Sequence, residues 1–161
     1  MRNTTLLFLV RRSGGEISEV CLAMKKRGFG AGRWNGVGGK VAEGESIEEA
    51  TLREAKEEIG VEAGDLNKVA ELTFTFPHNP NFDQLVHTYF SESWQGEPTE
   101  SEEMSPKWFA PAEIPFKEMW PDDQYWLPKA ISGKLIKASF TFGEKDVILD
   151  QQVEEVTSLN A

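Results

Sequence analysis

Cysteine is nearly absent from this chain. Cys21 is the only one in 161 residues, so no disulfide can form within the chain, and its place between Val20 and Leu22 reads as a small buried hydrophobe. Histidine is scarce too. His78 and His87 stand at no ligand-like spacing from each other or from the cysteine, which argues against a zinc site. Long apolar runs are missing: the stretch from Leu6 to Val10 runs into Arg11 and Arg12, too short for a membrane span or a signal-peptide core. We therefore expect no membrane partner and a reducing, cytoplasmic location. Basic charge is also in deficit, with 17 Lys and Arg against 27 Asp and Glu and a net charge of -10. Such a chain repels a nucleic-acid backbone and has no excess cations to displace its counterions. A small polyanionic substrate stays accessible, because bound divalent cations invert the field of an acidic site.

With 39% hydrophobic residues, the length suffices for one core and falls short of two ordinary domains. The expectation is one domain over residues 1–161 and, by default, a monomer. Residues 4–10 and 19–25 suit strands and are separated by Ser13, Gly14 and Gly15, which predicts a hairpin. Residues 26–36, KRGFGAGRWNG, read as a loop with more glycine and aromatic content than a passive connector needs. Strands are expected again at 68–76 and 84–90, paired antiparallel across the turn-rich PHNPN, and a closing hairpin at 138–149 around Gly143 and Glu144. A short helix should begin near Pro121 and fade before Gly133.

The clearest helix covers 46–59. Ser46 and Glu49 form a capping box and Gly60 supplies the C-terminal stop. At about 100° per residue, Glu54, Glu57 and Glu58 share one arc, while Leu52, Ala55 and Ile59 gather on another and should pack. Like charges at this spacing repel, and a hard divalent cation bound by oxygen ligands relieves that. A solvated face with Arg53 paired to Glu49 and Glu57 is the plainer alternative.

The stretch GKVAEGESIEEATLREAKEEIGV, residues 39–61, resembles the Nudix box: Gly39, Glu45, Arg53, Glu54, Ala55, Glu57, Glu58, Gly60 and Val61 fall at that family's positions. Seven fixed identities at about 7% usage each match by chance on the order of 10⁻⁸ to 10⁻⁷ per window. Ala55 is smaller than the aliphatic usual there. The resemblance implies an α/β fold, a mixed β-sheet between helices in an α/β/α sandwich with a catalytic loop-helix-loop. It also implies Mg²⁺, or Mn²⁺, held by Glu57 and Glu58. Glu54 would be a further ligand or the base for the attacking water, the Gly39 carbonyl would complete the shell, Arg53 would orient the glutamates, and Glu45 would support the helix start.

The segments MKKRGFGAGRWNGVGGKV (24–41) and FKEMWPDDQYW (116–126) resemble one animal-type branch of the family. That branch hydrolyses oxidised purine nucleoside triphosphates such as 8-oxo-dGTP and 2-hydroxy-dATP to monophosphate and pyrophosphate, which sanitises the nucleotide pool. The resemblance implies that Asn35, Asp122 and Asp123 meet the base edge, that Lys25 lies near the substrate, and that Glu103 is an additional acidic residue near the metals. Phe29, Phe74, Phe76 and Trp120 could supply the flat apolar walls a purine needs. Each has an ordinary alternative. Two aspartates after a proline can simply stabilise a helix N-terminus, Phe74 and Phe76 can be plain core, and Glu103 can be a surface residue. If the aspartates enter an apolar pocket together, at least one pKa should rise, and a protonated carboxyl then donates beside an ionised one that accepts. PHNPNFDQLV (77–86) departs most from the pattern of the branch. The rival functions are a broad nucleotide or nucleotide-sugar pyrophosphatase and a nucleotide-binding sensor without turnover.

Overall fold

The computed structural model describes residues 1–159; the last two residues of the expected single domain lie outside the described residues. Alternation along the first strand organises the molecule. In β1 (Arg2–Ser13) both faces are buried, and successive side chains point to opposite sides of the sheet. Leu6, Phe8 and Val10 join one apolar cluster, while Leu7 and Leu9 join another on the opposite face.

β1 turns through Gly14 and Gly15 into β2 (Glu16–Lys25), the expected hairpin, extended by a few residues. The remaining strands are β3 (Trp34–Asn35), β4 (Glu62–Gly64), β5 (Asn67–Thr75), β6 (Gln84–Ser91), β7 (Ser93–Gln95), β8 (Met104–Phe109), β9 (Leu135–Phe142) and β10 (Ile148–Val156). The main sheet runs β10-β9-β5-β6-β1-β2-β3, with β8 also paired to β2, and β4 with β7 forms a separate ribbon. β1 with β6 and β5 with β9 are parallel, the other pairs antiparallel, so the sheet is mixed. β5 and β6 pair antiparallel as expected, and β9 with β10 forms the closing hairpin, longer than 138–149.

Helix α1 (Ile47–Ile59) covers the Leu7 and Leu9 face and helix α2 (Asp123–Ile131) the other, which gives the α/β/α sandwich. In α1 the Ser46 hydroxyl accepts from Glu49 N–H at 3.0 Å and the Glu49 carboxylate accepts from Ser46 N–H at 3.0 Å. Gly60 ends the helix at φ 72°, the left-handed conformation that favours glycine. Such a cap contributes about 1 kcal/mol. The buried stripe differs from expectation. Ala50, Thr51, Ala55, Glu58 and Ile59 pack, whereas Leu52 is 38% exposed. The helix is rolled toward its small residues, and a fully buried Ala55 lets the backbone lie close to the sheet. No helix among the described residues is long and apolar enough to cross a membrane.

The segment 26–36 is not all loop: it folds back so that Lys25 N–H donates to Arg33 O at 3.0 Å and Asn35 pairs with Ala23 as β3.

Candidate active site

Between β3 and α1 the backbone of Val37–Gly39 is laid along β1. Leu7 N–H donates to Val37 O at 2.7 Å, Val37 N–H to Leu7 O at 2.9 Å, and Thr5 N–H to Gly39 O at 2.9 Å. Two glycines make this approach feasible. A Cβ on Gly38 would stand 1.8 Å from Thr5 O, and one on Gly39 2.6 Å from Glu54 Oε1. Gly39 is thus a cradle for the Glu54 carboxylate, and its carbonyl, already accepting from Thr5, keeps one lone pair for an ion.

Arg53 holds the acidic edge of α1 together. Its Nε and Nη2 clasp Glu45 at 2.7 and 3.0 Å, its Nη1 reaches Glu54 at 2.9 Å and Glu57 at 3.2 Å, and Nη2 also donates to Lys40 O at 3.2 Å. Glu45, clasped by Arg53 and accepting from Ala42 N–H, has its carboxyl pulled down to about 2. Its bidentate pairing matches the fork of a guanidinium. Glu58 is different. It is 3% exposed and burial pushes it up to about 7, although Gly38 N–H donates to it at 2.7 Å and opposes the rise. Glu54 is also raised, first by burial and despite Arg53, with the charges of Glu57 and Glu103 adding to it.

Glu54, Glu57 and Glu58 line an open cleft with Glu103, which lies 3.7 Å from Arg27. Among the described residues no three carboxylate, histidine or cysteine groups close on one point as a ready-made cage. The donor set nevertheless fits a hard cation that keeps waters and substrate phosphates in its shell. Burial outweighs the opposing pull of Arg53 on Glu54 and of Gly38 N–H and Lys25 on Glu58, so both carboxyls stay raised.

A second cavity of about 220 Å³ adjoins the cleft, and Lys25, Gly38, Gly39 and Lys40 line both. They form the throat between the two. The cavity ends at Asp122 and Asp123, which are 1% and 2% exposed. The aspartates do not cap α2: Trp126 Nε1–H donates to Asp122 Oδ2 at 2.9 Å and to Asp123 Oδ1 at 3.2 Å. That leaves Asp122 Oδ1 and Asp123 Oδ2 buried without a partner among the described residues. Burial raises both carboxyls, and for Asp123 the charge of Asp122 raises it further, so the two oppose each other's ionisation. Asn35 Oδ1 accepts from Gly36 N–H at 2.8 Å, which leaves its amide N–H groups to face the cavity.

Phe29, Phe74 and Trp120 line this cavity. Phe29, 41% exposed, stacks on Trp120 at 5.1 Å between ring centroids, and Arg33 lies over the Trp120 ring at 4.3 Å while pairing with Asp146 at 2.8 Å. Phe76 is not among the residues that line the cavity. It is 2% exposed, stacked on Phe142 at 5.2 Å, and meets Phe29 edge-on at 6.0 Å from behind. One step past the end of β5, it turns into the aromatic core rather than joining the wall. Sequence reasoning missed Arg2, Thr4 and Gln84, which form the cavity floor. Their signal was period-two alternation: Arg2, Thr4 and Leu6 share a face of β1. His87 bonds Asn3 and Lys68, both at 2.9 Å, away from either cavity, and Cys21 is buried with its thiol pushed up to about 12.

A family model described as the NUDIX domain matches residues 1–130. Among curated proteins, the "Oxidized purine nucleoside triphosphate hydrolase" of Mus musculus is 48% identical over 139 residues, covering 86% of this chain and 88% of that protein. Its namesake in Danio rerio is 44% identical over 140 residues, covering 87% and 89%. The crystal structure of a MutT protein from Bacillus halodurans superposes with a TM-score of 0.79 at 23% identity, covering 96% of this chain and 98% of that one, which speaks to the fold alone.

Proposed function

Because this chain belongs to the NUDIX family, we propose that it hydrolyses oxidised purine nucleoside triphosphates to the monophosphate and pyrophosphate, with magnesium or manganese as the cofactor. The observation that carries the substrate is the throat. An acidic cleft suited to a metal-bound triphosphate opens through Lys25 and Lys40 into an aromatic cavity that ends in a proton-sharing carboxylate pair. A nucleotide-sugar pyrophosphatase has no need of that buried pair.

In this reading Glu57 and Glu58 would hold the metal with Glu54, Glu103 and the Gly39 carbonyl near them. When bound, such an ion would neutralise phosphate charge and make water a better nucleophile. Glu54, kept basic by its raised pKa, accepts the proton of the attacking water. Arg53 fixes Glu54 and Glu57 relative to Glu45. Lys25 steadies the phosphates at the throat. Phe29, Phe74 and Trp120 sandwich the purine, Asn35 donates to its edge, and Asp122 with Asp123 offers one donor and one acceptor. Exchange of those roles lets one cavity bind oxidised guanine and oxidised adenine. The chain acts as a single-domain monomer on a free nucleotide in the cytoplasm, with its charge of -10 disfavouring nucleic-acid polymer.

The test is pyrophosphate release in magnesium from 8-oxo-dGTP, 2-hydroxy-dATP, dGTP and ADP-ribose, with Glu57→Gln as control. We expect kcat/KM to favour the oxidised purines and to collapse in the control. Preference for ADP-ribose, or equal rates on dGTP, would remove the substrate and keep the metal chemistry. A Glu57→Gln enzyme as fast as the parent would remove the metal assignment.

A further inference from the structure

The floor of the aromatic cavity has a polar row at the end away from the aspartates. Parallel pairing sets Arg2 of β1 beside Gln84 of β6, and antiparallel pairing sets Phe74 of β5 on the other side of Gln84. The aspartates sit at the other end. Their partner Trp126 packs on Phe8, and Leu6 borders the same cavity. From Leu6 back to Arg2 is four residues, about 13 Å at roughly 3.3 Å per residue. That span suits a purine with a hydrogen bond at either end.

The polarity of the row is fixed. Thr4 Oγ1 donates to Gln84 Oε1 at 3.0 Å, and Gln84 Nε2 donates to Phe82 O at 3.0 Å. Phe82 O can only accept, so the amide nitrogen must face it, and the flip is determined by the network. Gln84 Nε2 then has a second N–H to give. Beside it, Arg2, whose guanidinium lies over the Phe82 ring at 6.0 Å, has its Nε buried with no hydrogen-bond partner among the described residues. Both are donors, and a buried donor without an acceptor is costly, so the row is suited to a ligand oxygen.

A base that turns its Watson–Crick edge to Asn35 and the aspartates turns its imidazole edge to this row. An undamaged purine offers C8–H there. A purine oxidised at C8 offers a carbonyl. We propose that Gln84 is a specificity-determining residue whose side-chain N–H, with Arg2 Nε beside it, reads the C8 carbonyl of the oxidised purine. This inference rests on the reading of the site as an oxidised-nucleotide pocket. It adds a contact to the lesion itself, at the far edge from the carboxylates, and falls in the segment that departs most from the branch pattern.

The test compares kcat/KM of the parent and Gln84→Met, which keeps the length of the side chain and removes both amide groups, on 8-oxo-dGTP, dGTP and 2-hydroxy-dATP. The last carries its added oxygen on the opposite edge. We expect the variant to lose about tenfold more on 8-oxo-dGTP than on either of the others, the scale of one hydrogen bond to a buried group. Thr4→Val, which frees the amide to rotate, should show the same pattern at smaller amplitude. An equal loss on all three, as for a contact to the sugar or for damaged folding, overturns the proposal, and so does no loss at all. If the parent turns over 8-oxo-dGTP and 2-hydroxy-dATP but the variant shows no split, the pocket reading stands and only the role of Gln84 falls. If the parent turns over neither, both fall.

Discussion

The chain uses carboxylates in two places under opposite rules. On the edge of α1 each acid has a cation or a backbone N–H: Arg53 bonds Glu45, Glu54 and Glu57, and Gly38 N–H holds Glu58. At the end of the cavity Asp122 and Asp123 share the indole N–H of Trp126, with the charge of Arg33 acting on both. In the first group the partners oppose burial, which still raises Glu54 and Glu58, while Glu45 is held low by Arg53. In the second, burial and mutual repulsion both work against ionising the two together. Charge number alone says little about what an acidic site does, because the partners and the water around each carboxyl decide its protonation.

The contrast can be broken most severely on the helix. Glu54→Gln should lower kcat/KM on every substrate alike, by about 10² to 10⁴, the range for loss of a general base, as read by pyrophosphate release. A loss confined to one substrate would show that Glu54 recognises rather than reacts. The aspartates should behave the other way round. Asp123→Asn should shift the ratio of kcat/KM for 8-oxo-dGTP over 2-hydroxy-dATP by roughly tenfold to a hundredfold, about 1.5–3 kcal/mol for a hydrogen bond to a charged group. An unchanged ratio in both Asp122→Asn and Asp123→Asn would show that the pair does not sort the bases.

The smallest effect is on stability. Carboxyls raised in the folded protein bind protons more tightly there than in the unfolded chain, so their contribution is fully present below the ordinary value and is lost as pH rises through the raised one. The metal-free parent should therefore lose Tm from about pH 4, the ordinary aspartate range, through neutrality, and Asp123→Asn should lose less over the same window. Glu45 runs the other way, but its contribution is lost only as pH falls toward about 2, outside that window. Parallel curves for parent and variant would show that the pair is not proton-sharing.

What was legible follows from how locally each feature is encoded. The capping box, the glutamate spacing and the stop at Gly60 lie within fifteen consecutive residues, and the structure carries them as expected. The roll of α1 was not legible, because Leu52 is exposed owing to what packs under Ala55 from β1 and β2. β3 is two residues long and exists through pairing with β2, so no period could announce it. Phe74 and Phe76 alternate alike in sequence and both meet Phe142, more than sixty residues away, at 5.3 and 5.2 Å, so nothing in the alternation says that Phe74 alone borders the cavity. Arg2 and Gln84 meet through a parallel pairing that no local pattern records. The aspartates were legible as a pair of acids, while their burial depends on Trp126 and on the floor below.

The stitching of Val37–Gly39 to Leu7 and Thr5 gives the molecule a ruler. One strand carries the floor of the base cavity on its even residues and, chiefly through backbone bonds, anchors the loop that cradles Glu54. The interval from the seat of the base to the point of cleavage is set by peptide geometry and is indifferent to which side chains line the way. Substitutions in the cavity can thus change which nucleotide is retained, and for how long, while the bond presented for cutting remains the same one.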